Sequence, residues 1–582
     1  MKRLITILTA SIALAAGASA QTMSDALTFS RNNYYGTART IGMGNAVTAV
    51  GGDIGTIAIN PAGGSVSAFS QFSFSTGFTT SSSESSYTPS YAFDGSPSYG
   101  ASFNDSKTRM TVPNIGLNLT FDTGSYSGVK SYNFGFLVNR SQTFTNIVSA
   151  AGSEGRTSIT GAFATAADGM PGNILGSSDM WDSGFGWNGI AAYDGGLVNY
   201  NGDAGTYYGS GETKEFDPAT GEYEYGVRGI LDQRVGTTTK GSRNDMIFNY
   251  GVNVDDRLFL GINLSIPFAN YSYSEFFEES RSSAASDFPV TAEYWDSNSK
   301  TYVTGAATNY ERGIYEYSYK ADITGINAKI GAIWLPADGL RLGAAIQTPT
   351  AYSINERWYV DVRSEFGNTS YNASSGSPTA ETSYNFRSPY SANFGIAYTF
   401  GRIGMLSVDY EFTDFSIMKF SEYDEDFGYS YDDPFHAVNR LNKLFCGVSH
   451  SLRIGAEVRP VPAFSLRAGF NLTTDPERYY TDTDGFLVYA SDYDAYFNEY
   501  ENGTYKLVKS SKTYVGEKAV SFSFGAGYSS PGSFYADLAL RRTTLPERYY
   551  QAYQSYLDGI VSPVVRSKSS LFDAVLTLGW RF

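Results

Sequence analysis

From Phe69 onward the chain alternates apolar or aromatic residues with small polar ones, beginning with F-S-Q-F-S-F-S-T-G-F. Period-two alternation is the signature of a strand with one wetted or filled face and one apolar face. Fourteen segments carry it, near 69–80, 109–121, 131–143, 243–253, 258–279, 312–335, 340–361, 382–400, 404–419, 447–459, 464–475, 517–529, 534–545 and 568–582. In the last, Ala574, Leu576, Leu578, Trp580 and Phe582 share one face, and Asp573, Thr577, Gly579 and Arg581 the other. In 517–529, Val520, Phe522, Phe524, Ala526 and Tyr528 oppose Ser521, Ser523, Gly525 and Gly527. In 447–459, Leu452, Ile454, Ala456 and Val458 oppose Ser451, Arg453, Gly455, Glu457 and Arg459.

The connections sort by length. Tight ones at 122–130, 254–257, 336–339, 401–403, 460–463 and 530–533 alternate with long ones at 81–108, 144–242, 280–311, 362–381, 420–446, 476–516 and 546–567. Several tight ones carry turn chemistry, such as P-A-D-G and S-P-G. Short turns at one end, long loops at the other and an even strand count predict a closed barrel. The expected fold is therefore an all-β membrane protein, a 14-stranded antiparallel outer-membrane β-barrel with an N-terminal hatch inside the lumen. A secreted β-sandwich has no reason to sort its loops this way.

Before the first strand the pattern changes. Residues 39–62 read R-T-I-G-M-G-N-A-V-T-A-V-G-G-D-I-G-T-I-A-I-N-P-A. This stretch lacks period-two alternation and is too interrupted for a spanning helix, which needs about 20 apolar residues. It suits short helical turns packed inside something larger, so residues 21–68 are expected to plug the barrel formed by 69–582. Residues 1–20 have a basic start (Lys2, Arg3), an apolar run (Leu4 to Ala16) and Ala18-Ser19-Ala20 as a cleavage site, the features of a signal peptide. No Cys follows that site to suggest a lipid anchor.

Composition narrows the picture. Aromatics make up 16% of the 582 residues, with 46 Tyr and 39 Phe, beside 61 Gly and only 17% charged residues. That balance suits lipid-facing strands with aromatic girdles. The net charge of −16, without a basic patch, argues against nucleic acid. The lone Cys446 cannot form an internal disulfide. Two His give little scope for a metal site or a serine hydrolase, because His450 falls on the lipid side and His436 in a loop. Asp482-Thr483-Asp484-Gly485 is a fragment of a calcium loop without its spaced Glu. No cofactor, no metal and no enzyme activity are expected.

The long loop 144–242, with Trp181 and Trp187, is too long to be structureless and is expected to fold over the barrel mouth. The Tyr-rich, acidic stretch within 476–516 should be another external loop. P-E-R-Y-Y occurs at Pro476–Tyr480 and again at Pro546–Tyr550. The repeat reads either as interfacial Tyr with Arg near lipid headgroups or as a paired device at the rim.

The N-terminal stretch with Arg39, the glycine-spaced Gly42–Ala46, Ala49, Asp53 and Asn60-Pro61-Ala62, set before fourteen strands, resembles the FadL family of outer-membrane transporters for long-chain fatty acids and other hydrophobic compounds. The resemblance implies that this segment is a hatch with Arg39, Asp53, Asn60, Pro61 and Ala62 as its motif. It also implies that ligand leaves sideways through a break beside a kinked strand, by position 131–143, and that the protein is a monomer in the outer membrane of a Gram-negative bacterium. An amphipathic ligand needs an apolar sleeve and polar groups for its head. The inner faces offer Arg453, Arg467 and Arg541 with Asp409, Glu411, Glu457 and Asp537, either for ligand or for ion pairs that hold the hatch. The expected function is passive uptake of hydrophobic molecules such as long-chain fatty acids, with outer-membrane lipid as the surrounding partner. A general hydrophilic porin and a structural or adhesive surface barrel are the alternatives.

Overall fold

A computed structural model describes residues 22–92, 100–153, 155–170, 175, 186–201, 206–217, 222–226, 231–282, 289–296, 301–423, 433–483, 487–488, 490, 493, 497–503, 506–509, 518–557 and 559–582. The expected signal segment, Trp181, and the Asp484-Gly485 half of the calcium-loop fragment lie outside these residues.

Fourteen antiparallel staves close on themselves. In chain order they are β1 (Gln71–Thr88), β2 (Phe103–Asp122), β3 (Val129–Thr143, resuming at Asn146–Gly152), β4 (Leu231–Val254) and β5 (Leu258–Arg281). Then come β6 (Thr301–Ala337), β7 (Leu340–Gln347 and Ala351–Phe366), β8 (Ala380–Arg387 and Ser391–Phe400) and β9 (Gly404–Asp414 and Lys419–Glu422). The last are β10 (Val448–Val461), β11 (Phe464–Thr474), β12 (Lys518–Ser529), β13 (Phe534–Thr544 and Arg548–Gln551) and β14 (Val564–Arg581). Each pairs with the next, and β14 pairs with β1 from Arg581↔Gln71 up to Val564↔Thr88, which closes the cylinder.

Three staves break where the alternation predicts continuity. Thr348-Pro349-Thr350 interrupts β7 and Ser388-Pro389-Tyr390 interrupts β8, because proline cannot donate to the ladder. A 3₁₀ turn at Phe415–Ile417, capped by Asp414, interrupts β9. Several staves also run longer than their apolar alternation. β4 begins at Leu231 and β6 at Thr301, and higher on β6 and β7 polar outward residues pair across strands, as in Arg363–Glu316 and Arg357–Asp322. Period-two hydrophobicity marks only the part of a stave that meets lipid. The upper wall is strand without that signal.

The outer face carries the apolar band. Phe78, Met110, Phe134, Phe248, Leu264, Ile330, Ile396, Phe524, Leu540 and Leu576 are all exposed on it. Trp334, Tyr398, Tyr528 and Trp580 lie toward the end with the short turns, as a girdle. At one such turn Asp255 and Asp256 both take φ of 55°, the two-residue geometry that matches strand twist. No helix among the described residues is long and apolar enough to cross a membrane.

The long loop 144–242 folds into the upper wall rather than merely over it. Its helices α3 (Ile159–Ala167) and α4 (Trp187–Asp194) bury Phe163 and Ile190, with Leu197 just beyond α4, in one cluster with Phe277 of β5 and Val360 and Val362 of β7. Glu279 of β5 accepts from Ser158 at the start of α3 (2.5 Å) and from Gln233 (2.7 Å).

The exposed band should behave as a lipid contact. Phe524→Arg, at a residue 66% exposed near mid-band, should cost about 2–4 kcal/mol in denaturant unfolding from lipid vesicles. Ser523→Ala on the opposite face should cost far less.

Candidate functional site: the filled lumen and the lapped wall

The N-terminal chain runs inside the cylinder. It starts with helix α1 (Met23–Ser30), closed by a Thr22/Asp25 capping box, and continues through helix α2 (Ala38–Gly42) and two 3₁₀ turns, Ile54–Ala58 and Pro61–Gly63. Asp53 and Asn60 cap those turns through Gly55 and Ala62 backbone N–H groups. Asp53 also accepts from Thr37 (2.6 Å), and Asn60 donates to Thr48 O (2.7 Å) and to Ala332 O of β6 (3.1 Å). Pro61 sits at the first position of its turn, where a missing N–H costs nothing. Of the motif residues, Asp53, Pro61 and Ala62 shape the segment itself, whereas Asn60 both caps a turn and bonds to the wall, and Arg39 reaches the wall at Glu457.

How the segment fits against the wall was not read from the sequence. Gly261 and Gly331 face each other on β5 and β6, Gly343 and Gly395 on β7 and β8, and Gly455 and Gly469 on β10 and β11. A Cβ at Gly261 would collide with the Pro61 backbone, at Gly331 with Asn60, and at Gly343 with Thr48 O. At Gly395 it would press on Thr48 and Ala49, at Gly455 on Met43 O, and at Gly469 on Gly44. The wall thus lacks side chains where the inner segment's backbone touches it. The alternation placed Gly455 on the inner face, but only the strand register aligns these residues with one inner segment.

The predicted inner charges are all in contact. Glu457 takes Arg39 (3.0 Å) and Arg467 (2.8 Å), and Arg467 also takes Asp537 (2.5 Å). Arg453 pairs with Glu411 and lies over the Tyr34 ring, 4.6 Å from its centroid. Arg541 pairs with Asp573 (2.9 Å), and Asp409 accepts from Thr48 N (2.7 Å). Of the two uses open to these groups, the geometry is that of ion pairs and plug contacts. Buried charges without such partners would be costly.

Three further cations escaped the sequence reading. Arg243 donates to Phe29 O (2.5 Å) and Arg31 O (3.0 Å), Lys329 to Ala58 O (2.7 Å), and Arg341 to Val50 O (2.7 Å). Arg541 does the same to Tyr34 O (3.0 Å). Wall cations thus satisfy carbonyls that the irregular inner segment leaves without backbone partners. A basic residue in a strand does not announce this in sequence, because its acceptor is a main-chain atom.

Above these contacts α1 packs into an aromatic cluster. Phe29 meets Tyr271 edge-on (5.6 Å) and Phe386 (6.4 Å), with Tyr352 and Phe420 in the same cluster. The end of α1 is tied to the rim: Arg31 pairs with Asp475 (2.8 Å), which also takes Arg548 (2.6 Å). Arg548 pairs with Glu477 as well. Glu477 belongs to the first P-E-R-Y-Y and Arg548 to the second, so the repeat is a paired rim device and not two headgroup contacts. Burial alone would raise the Asp475 carboxyl, but the two guanidiniums hold it below its ordinary range.

Among the described residues the ladder parts within the apolar band between β2 and β3. β2 and β3 pair from Asp122↔Ser131 up to Asn114↔Asn139 and then part. Above that point β2 stays paired with β1 as far as Phe103, and β3 stays paired with β4. Ser141 is the extra residue of a bulge there, since Gln142 faces Arg243 and Arg140 faces Asn244. Beyond it Asn146–Gly152 passes behind β1, where Ser83 and Ser85 donate to Ile147 O and Ser149 O. The wall is lapped here, joined by serine hydroxyls and not by a strand ladder. Asn33 and Tyr35 of the inner segment donate to Ser141 O (2.9 Å) and Arg140 O (3.2 Å) beside the parting. The kinked-strand position expected at 131–143 coincides with this seam.

No family model matches the chain, and no curated protein does. Among solved structures it is similar to a Pseudomonas aeruginosa FadL homologue, 12% identical, with a TM-score of 0.48 and 95% of this chain and 100% of that one covered. It is also similar to the P. putida toluene transporter TodX, 12% identical, TM-score 0.43, covering 94% and 99%. The Ralstonia pickettii toluene transporter TbuX is 12% identical with a TM-score of 0.40, covering 94% and 99%. At this degree of likeness, what the chain does rests on its own geometry.

The glycine contacts give a direct test of the inner seating. Gly331→Val should drive the inner segment off the wall and make it cleavable by trypsin at Arg39 in an otherwise folded barrel. Cleavage unchanged from the parent would show that the contact is slack.

Proposed function

We propose that the protein is a Gram-negative outer-membrane channel for passive uptake of hydrophobic molecules such as long-chain fatty acids. Residues 21–68 serve as its hatch, and ligand leaves sideways through the seam between β2 and β3. The observation that carries the reading is the parting of those two strands at Asn114 and Asn139, which lies within the apolar band, below Phe78 and Met110. An apolar solute gains nothing from an aqueous axial path, whereas a wall opening at lipid depth delivers it where it partitions. The filled lumen weighs against a hydrophilic porin, because the inner segment stands across the axis on both glycine and ion-pair contacts.

Movement in this reading is confined to the upper part of the hatch. Residues 42–62 press on the wall at the glycines, whereas residues 29–35 are held by guanidinium donors of Arg243 and Arg541, for which a ligand oxygen can compete, and by two backbone bonds to β3 at Asn33 and Tyr35. The route lies within one barrel, so a monomer suffices.

Two deletions separate the readings in liposomes and cells. Removing residues 21–62 should make the barrel leak small polar solutes, which the parent does not pass. Removing Ser141 should let β3 pair on past Asn139, seal the seam and abolish uptake of a labelled fatty acid while heat-modifiable barrel migration is kept. Uptake unchanged by loss of Ser141 would remove the lateral route. A parent that already conducts ions freely would favour the porin.

A further inference from the structure

The arginines that enter the barrel at lipid depth are spoken for. Arg453, Arg467 and Arg541 meet carboxylates, and Arg243 and Arg341 meet main-chain carbonyls. Arg140 of β3 is different. It is half-buried, and its side chain makes no hydrogen bond or ion pair with any described residue.

Its place is the seam. Asn139, the last rung between β2 and β3, points inward, because its amide donates to Tyr35 O (3.2 Å). Arg140 comes next and therefore starts on the lipid side, in register with Asn244 and, one strand on, with Phe268. The groups within its electrostatic reach are nevertheless Tyr35 and Asp573 of β14, both inside the cylinder. A side chain rooted outside comes close to such groups only through a gap in the wall. That gap is where β2 has left: the ladder stops at Asn114, and Pro113 has no N–H with which to extend it. The guanidinium stands in the opening, between lipid and lumen.

Asp573 does not neutralise it. That carboxylate already takes Arg541 (2.9 Å) and Thr79 (2.7 Å). Two guanidiniums against one carboxylate leave a positive charge over. An uncompensated charge at lipid depth is costly, and where a protein keeps one its use is functional. Only Nε among the Arg140 nitrogens is fully enclosed, so the terminal pair stays open to a ligand. Beside it the outer surface is apolar: Met110, Val112 and Ile115 are exposed on the β2 side of the parting and Phe136 on the β3 side.

A carboxylate matches the two parallel N–H donors of a guanidinium, and the exposed apolar residues beside the seam suit an alkyl chain. Resting on the channel reading, we propose that Arg140 selects the ligand: it holds the anionic head of an amphipathic acid, a carboxylate on an alkyl chain, as that molecule passes the seam. A neutral hydrophobic molecule crosses the same gap without using it. The seam is thus a selective exit and not only an opening.

The test compares initial uptake of labelled palmitate and of labelled methyl palmitate in cells carrying the full chain or its variants. Arg140→Met should lower palmitate uptake about tenfold and leave methyl palmitate within about twofold of the parent. Arg140→Lys, which keeps the charge but not the fork, should recover palmitate uptake in part. Because the guanidinium has no partner of its own, Arg140→Met should also raise the urea midpoint of the ligand-free barrel refolded in phosphatidylcholine vesicles. Heat-modifiable migration checks that each variant is folded. Palmitate uptake unchanged in Arg140→Met, as it would be if the residue served only an anionic lipid, would overturn the inference. So would equal loss of both solutes, or a lowered urea midpoint, which would show a structural partner. In each of those cases uptake of methyl palmitate that the parent loses with Ser141 would leave the channel reading standing. A parent that takes up neither solute would end both.

Discussion

A cylinder of fourteen strands is too wide for its own side chains to fill. Something else must occupy its axis, and whatever does so must find partners for its backbone in a space with little water. Much of this structure answers that constraint. The N-terminal segment enters as short capped turns, the wall withdraws its side chains at glycines to let the turns approach, and wall cations take the carbonyls that the turns leave open. The long loop between β3 and β4 meets the same constraint from the other end, with small helices packed inside the extended wall.

The two fillings differ in kind. Below, contact is between backbone and backbone with charged pairs around it, an arrangement with little freedom to slide. Above, contact is between aromatic rings, hydroxyls and carboxylates, some of them half-exposed. Rigid seating below and a roomier, polar-aromatic space above divide the lumen into a barrier and a chamber. The seam begins at Asn114 and Asn139, beside the point where residues 33–35 bond to β3. The packed lower filling, the roomier upper space and the seam therefore meet at one stretch of chain, residues 29–35, held by Arg243, Arg541 and Arg453.

Charge follows the same division. Glu457 with Arg39 and Arg467, and Asp573 with Arg541, are pairs whose removal on one side would leave a buried ion. At the rim, Asp475 and Glu477 gather Arg31 and Arg548 and bind the end of α1 to two loops. A repeated P-E-R-Y-Y becomes meaningful only because its two copies are brought together there, the acid of one against the base of the other.

The sequence by itself determined the fourteen staves, which end carries the short turns, the lipid-facing side of each strand and that the stretch around residues 39–62 is not a stave. These are local properties: period-two alternation, turn residues and its interruption are written in neighbouring positions. It also put Arg453, Arg467, Arg541, Asp409, Glu411, Glu457 and Asp537 on inner faces, since parity alone decides that. Tertiary structure decided what they touch. The glycine seating, the carbonyl partners of Arg243, Lys329 and Arg341, the parting of β2 from β3 and the strands that continue above the lipid band depend on register between residues far apart in the chain. Where the outer face leaves lipid, hydrophobic alternation stops while hydrogen bonding continues, so the upper wall and the chamber within it had no periodic signal to be read.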